Sequence, residues 1–201
     1  MKFNYPIGAT PLTKDELEDL IPAYISTQSE LNTAEQMNIS KAKLSINKKK
    51  YSFDSILDDL FIRKVHKIMF GDVWKWAGKY RKSDKNIGVD WRYVPIDLKQ
   101  LLDNTIFQID KKSYLELEIA IRFHHKFVLI HPFPNGNGRL ARILTDLLLA
   151  SISEQKLTWG GSNIYDYQIA SKIRERYIKA LRKADKGEYK QLIEFATSDT
   201  E

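Results

Sequence analysis

His131, Asn135, Arg139 and Arg142 stand within one short stretch, HPFPNGNGRLAR (131–142), and their types suit phosphate chemistry. A histidine near its ordinary pKa can take a proton from an incoming hydroxyl. Two arginines three residues apart share one side of a helix start, and each can fork onto phosphate oxygens. Gly136 and Gly138 permit backbone angles closed to other residues, so successive N–H groups can converge on one anion. A helix beginning near Arg139 adds unpaired first-turn amides and the positive end of its dipole. Asn135 offers a side-chain oxygen to a magnesium ion held mainly by phosphates and water. A P-loop would read Gly-Lys-Ser/Thr after a strand, and a dinucleotide fingerprint also follows a strand. This loop follows a helical stretch, so it is neither.

The elements that must hold the loop read as helices. Thr13 with Glu16, and Thr27 with Glu30, make capping boxes ahead of two helical segments, the first stopping near Pro22 and the second in the Lys48–Lys50 cluster. Ser52 opens a helix that Gly71 ends, with Phe53, Ile56, Leu57, Leu60, Ile68 and Met69 at roughly helical spacing. Further helices are expected over Pro95 to about Asp110, Ser113–Ile130, Arg139–Ile152, about Asp166–Ala184 and Tyr189–Phe195. Ser113–Ile130 and Arg139–Ile152 are the most apolar and should be central. Between Trp74 and Val94 the helical period disappears. Strand candidates near Lys79–Lys82 and Ile87–Val94 suggest a hairpin. The expected fold is an all-α bundle carrying one small β-flap.

Composition sets the outer bounds. The 201 residues suffice for one domain with a real core, and no window is apolar enough to span a membrane. The first residues lack the apolar stretch of a secretory signal, and the absence of cysteine excludes disulfides and thiolate catalysis. A cytoplasmic protein is expected. The net charge of +6 divides into −4 over residues 1–40 and +10 beyond. The basic clusters at Lys48–Lys50 and from Lys172 to Lys186 read as solvated helix faces rather than a nucleic-acid surface. His124 and His125 lack zinc-site spacing and read as structural. Trp74, Trp76 and Trp91 read as packing anchors.

The stretch His131–Arg142 resembles the signature of the Fic family, HxFx(D/E)GNGRxxR. His131, Phe133, Gly136, Asn137, Gly138, Arg139 and Arg142 match its fixed positions, and Asn135 departs from it by standing where Asp or Glu is usual. The flanking helices and the terminal segment also resemble Fic proteins, most of all the small bacterial subgroup labelled mobile mystery protein B. The resemblance implies a Fic-type helical bundle and transfer of AMP from ATP to a hydroxyl of a target protein. It makes His131 the general base and Phe133 a buried anchor. Gly136, Asn137 and Gly138 become the anion hole, with Arg139 on the β-phosphate and Arg142 on the γ-phosphate. Asn135 takes the metal position, for Mg2+ or, with its charge lost, Mn2+. The flap, including Ile87, Gly88 and Val89, would dock target backbone as an added strand. Tyr177 becomes a candidate for the adenine side.

The segment STQSELN (26–32) also resembles the family's inhibitory motif, (S/T)xxxE(G/N), through Ser26 and Glu30, with Leu31 where Gly or Asn is usual. The resemblance implies that Glu30 pairs with Arg142 and excludes the γ-phosphate. The competing reading is that Glu30 only completes the Thr27 cap. Residues 1–50 would then form an N-terminal segment bearing the inhibitory motif, and 51–201 a compact Fic core. Beside AMP transfer stand removal of AMP, phosphotransfer on the same scaffold, and an idle interaction protein. Phosphotransferring relatives carry Ala and Lys where this chain has Gly136 and Gly138, which ranks that reading lower. The expected partners are ATP, a target protein of unknown identity and an antitoxin-like protein.

Overall fold

The protein is described here from a computed structural model covering residues 10–161 and 167–198, with backbone alone for 167–171. Among these residues run the α-helices Lys14–Glu18 (α1), Gln28–Ile46 (α2), Phe53–Ile56 (α3), Asp59–Phe70 (α4), Val94–Asp110 (α5), Glu116–Ile130 (α6), Asn137–Ile152 (α7), Tyr167–Ala184 (α8) and Lys190–Thr197 (α9). The fold is all-α. Both predicted capping boxes form, at Thr13 with Glu16 and at Thr27 with Glu30. The single helix expected from Ser52 to Gly71 is broken instead. Leu57 ends α3, and the Asp58 carboxylate starts α4 by accepting the Phe61 N–H at 2.8 Å. Asp166, the expected start of the last long helix, lies outside the described residues.

Helices α6 and α7 pack together, with α5 on α6 and α2 on α4. Leu140, Ala141, Leu144 and Leu148 turn one stripe of α7 fully inward, as helical spacing requires. The same core takes Leu31, Ile39 and Ile46 from α2 together with Met69, Phe70 and Phe133, so α2 shares the core of the following helices. A smaller cluster joins Trp159, Tyr177, Leu192 and Phe195 to Ile121 of α6. Trp74 and Trp76 are buried as expected, whereas Trp91 is 38% exposed on a 3₁₀ turn, Trp91–Tyr93. No helix among the described residues is long and apolar enough to cross a membrane.

The hairpin is corrected. No strand occurs among the described residues, and 79–90 is a run of bends closing on that 3₁₀ turn. The reason is Arg81, whose side chain is fully buried. Its guanidinium donates to the carbonyls of Ser83 and Val89 within the segment and of Ile130 and His131 at the end of α6, tying the segment to α6 instead of leaving it to pair with itself. One side chain substitutes for cross-strand pairing.

Candidate active site

The loop between α6 and α7 is shaped by its backbone. His131 ends α6 in the left-handed region, φ 55°, while its N–H still donates to Phe127 O. Gly136, φ 81°, starts α7, and a Cβ there would stand 2.5 Å from the Phe70 ring. Only glycine fits on both counts. The Asn137 side chain closes the loop by donating to Phe133 O at 2.8 Å and accepting Phe133 N–H at 2.9 Å. Its expected place in an anion hole therefore falls to its backbone N–H alone. Phe133 is the buried anchor, stacked on His66 with ring centroids 3.9 Å apart. His66 Nδ1 accepts the Gly78 N–H, which leaves Nε2 to donate to Asn135 O at 3.1 Å.

His131 is buried, with Nε2 3.1 Å from the Thr10 hydroxyl. Burial, followed by the nearby Arg81 charge, pushes its pKa down to about 4. The ring is neutral at pH 7 and can accept a proton. Arg81 Nε donates to His131 O at 2.7 Å and Arg81 N–H to Pro132 O at 3.0 Å, fixing the backbone on both sides of the turn. Gly88 lies flush against the histidine, since a Cβ there would meet His131 Cβ at 2.8 Å. Val89 N–H reaches Ile130 O at 3.4 Å, and Ile87 is exposed. The segment carrying Ile87, Gly88 and Val89 thus borders His131 without forming a strand.

No side chain caps α7 at Gly136, so the amides of Asn137, Gly138 and Arg139 begin the helix open to an outside acceptor. Gly138 has an ordinary helical backbone, and a Cβ there would approach nothing nearer than Tyr177 Oη at 3.9 Å. Packing does not demand this glycine. Close approach of a ligand to the backbone would. Arg139 pairs with Glu35 of α2 at 2.7 Å. Arg142 lies over the Tyr177 ring at 4.7 Å, with its Nε buried and without a hydrogen-bond partner among the described residues. Tyr177 is brought to the motif as a buried support: its hydroxyl meets His124 Nε2 at 2.8 Å and its ring underlies Arg142. Burial, followed by the charges of Arg139 and Arg142, lowers the pKa of Arg174 on α8.

Glu30 does not reach Arg142. Its carboxylate accepts Ser26 N–H, Ser26 Oγ–H and Thr27 N–H at 2.7–2.9 Å, which hold its pKa down at about 2. No ion pair of Glu30 occurs among the described residues, so both Ser26 and Glu30 serve the helix start. Asn135 Oδ1 accepts Gly136 N–H at 2.6 Å and lies 3.5 Å from Arg139 Nη2, donors that compete with a cation. No group of three His, Cys, Asp or Glu side chains able to hold a metal exists among the described residues. These residues fit a divalent ion only as one carried by nucleotide phosphates, with Asn135 supplying a neutral oxygen. His124 and His125 are structural, bonded to Thr145 and Tyr177 and to Asp185 respectively.

Sequence reading missed Glu35, Arg81, Thr10, His66 and Arg174. Glu35 carried a signal: it lies on the α2 stripe with Leu31 and Ile39, where a carboxylate needs a buried partner. The others bore none, because their partners lie far away in sequence.

The Fic/DOC family model matches residues 56–149. A probable protein adenylyltransferase of Aquifex aeolicus is 37% identical over 125 residues, covering 59% of this chain and 35% of that protein. The protein adenylyltransferase Fic of Nematostella vectensis is 26% identical over 149 residues, covering 72% of this chain and 32% of that protein. The chain thus spans about a third of these relatives. The N-terminal Fic domain of a Bartonella effector superposes with a TM-score of 0.68 at 16% identity, covering 92% of this chain and 91% of that one. An effector of Bartonella tribocorum with bound AMPPNP gives the same TM-score and identity over 94% of this chain and 100% of that one. The helices that frame the His131–Arg142 loop are those of Fic domains of known structure, and the loop lies inside the stretch that the Fic/DOC family model matches.

Proposed function

We propose that this chain transfers AMP from ATP to a hydroxyl group of a protein side chain. The observation that carries the reading is one juxtaposition: a neutral imidazole within reach of a hydroxyl, beside an uncapped helix start flanked by Arg139 and Arg142. The relatives named protein adenylyltransferase support it. In this reading the amides of Asn137, Gly138 and Arg139 receive the α- and β-phosphates. Arg139 donates to the β-phosphate and Arg142 to the γ-phosphate. His131 Nε2 takes the acceptor proton as the hydroxyl oxygen attacks the α-phosphorus, and pyrophosphate leaves. Magnesium, when bound with the nucleotide, supplies neutralisation of phosphate charge, with Asn135 as its neighbour. The 87–89 segment positions the target beside His131.

Regulation in this reading falls to Glu35. Its contact with Arg139 occupies a donor that a phosphate needs, so ATP must displace a carboxylate to bind fully. The test uses ATP labelled in turn at the α- and γ-phosphates, with magnesium and a native lysate. Protein labelled from the α-position alone is the expected result. Label from the γ-position alone would mean phosphotransfer, and no label would mean an idle scaffold or AMP removal.

A further inference from the structure

The hydroxyl beside His131 belongs to the chain itself. Thr10 is 7% exposed, and its Oγ1 lies 3.1 Å from His131 Nε2, across 121 positions of sequence. That is the distance at which a general base receives an acceptor proton. The segment that delivers Thr10 is tied down at several points. Lys85 Nζ donates to Pro11 O at 3.4 Å and pairs with the Glu16 carboxylate. Trp76 Nε1 donates to Glu16 O at 3.2 Å, and Glu16 closes the Thr13 capping box. Lys85 lies three positions before Gly88, the residue pressed against His131. Residues 10–16 therefore lie across the 85–89 segment and over the base, along the approach an acceptor protein would need.

We propose that Thr10 is a self-modification site, an acceptor hydroxyl that the chain presents to its own His131 for AMP transfer in cis. The inference rests on the AMP transfer proposed above. An apolar side chain could fill the same space, but it could not offer an oxygen to the imidazole. The step balances with ATP as co-reactant. Thr10 Oγ1 forms a bond to the α-phosphorus, and the bond from that phosphorus to the bridging oxygen of the β-phosphate breaks. The hydroxyl proton passes to His131 Nε2, leaving threonine-linked AMP and pyrophosphate. The modified side chain can no longer return to the imidazole as a hydroxyl, so the product clears the base for an outside acceptor.

The full chain, wild type and variants, is incubated with α-labelled ATP and magnesium, with and without native lysate, and the product is mapped by peptide mass spectrometry. The expected result is one AMP on the peptide containing Thr10. The fraction modified per unit time should be independent of protein concentration, as a cis reaction requires. Thr10→Val should lose this label, Thr10→Ser should keep it, and wild-type enzyme should not label Thr10 in a His131→Ala chain. AMP on lysate proteins or other residues, with Thr10 unmodified in the wild type, would overturn the inference and leave AMP transfer standing. Faster labelling of those acceptors by Thr10→Val, again with wild-type Thr10 unmodified, would make Thr10 a plug only and also overturn it. No α-label on any protein would remove both readings. Mapping the wild type decides the matter even if a variant folds poorly.

Discussion

Helix α2 and the 79–89 segment approach the His131–Arg142 loop from two sides, and each brings it one charged side chain. Glu35 of α2 divides its two oxygens between Trp74 Nε1 and Arg139, both at 2.7 Å. The Arg139 side chain is 38% exposed, so a phosphate arriving from solvent can compete for it. Arg81 is different. Its side chain has no exposure, and it spends its donors mainly on carbonyls of its own segment and of the α6 end. A charge pair at an accessible edge can exchange its acid for a ligand's charge. A buried guanidinium on carbonyls cannot move without leaving several acceptors unsatisfied. The α2 side is suited to regulation and the 79–89 side to scaffolding.

The scaffold side is tested first at the atom it holds. His131→Ala should lower AMP transfer by about 10²–10⁴-fold, the range of general-base contributions, with ATP binding little changed. Equilibrium nucleotide binding and transfer rates measured on the same preparation check this. Loss of both together would place His131 in binding. The depressed pKa adds a pH signature. A base with a pKa of about 4 stays competent through pH 5, so the acidic limb of transfer should lie near 4 rather than 6.5.

Linkage fixes the sign for stability. Between about 6.5 and 4 the unfolded chain binds a proton at this histidine that the folded chain does not. The contribution is therefore complete above 6.5 and disappears as the pH falls through 4. His124, pushed to about 3 by burial and then by Arg142, acts in the same direction. Asp146 acts in the opposite one, since burial raises it to about 6 and its contribution fades as the pH rises through that value. Melting temperatures between pH 4 and 8, compared for wild type and His131→Ala, isolate the His131 part.

Arg81→Met comes next. It removes the donors to the Val89 and His131 carbonyls, while Ile130 O keeps the Val89 N–H, and each buried acceptor left unpaired costs about 1–3 kcal/mol. A total near 3 kcal/mol or more, read by denaturant titration, is expected, with Arg81→Lys recovering little because it lacks the fork. A shift under about 0.5 kcal/mol would mean that backbone pairing, not Arg81, holds the segment.

On the α2 side the sign reverses. Glu35→Gln keeps an oxygen for Trp74 and removes the charge from Arg139, so transfer should rise by about tenfold, the equivalent of roughly 1.4 kcal/mol. Unchanged transfer with tighter ATP binding would confine Glu35 to the ground state. Glu30→Gly should be the smallest change for chemistry: it removes a cap interaction, lowers the melting temperature and leaves transfer near wild type. A rise in transfer there without one in Glu35→Gln would exchange the roles of the two glutamates.

Much of this protein was legible because the rules involved are local. Capping boxes at Thr13 and Thr27 and the helical stripe of α7 depend on residues within a turn of one another. The same holds at the loop, where Gly136 marks a left-handed turn and a helix start visible in the spelling of 131–142. The break at Asp58 was equally local, but one apolar period spans both helices and hides it.

The sequence by itself determined the helices, their order, and the loop that sets two glycines, two arginines and a histidine close together. Only tertiary structure decided which charges meet that loop. Glu30 and Glu35 are five positions apart on one helix, and a motif can favour the first, yet the rotation of α2 on α4 turns the second toward Arg139. Arg81 defeats the alternation rule for strands because a buried fork can satisfy carbonyls from distant parts of the chain. Thr10 reaches His131 over 121 positions, a closure that no local periodicity records. Dihedral preferences and caps act over a few residues, whereas the partners of a buried polar group are set by which helices happen to pack.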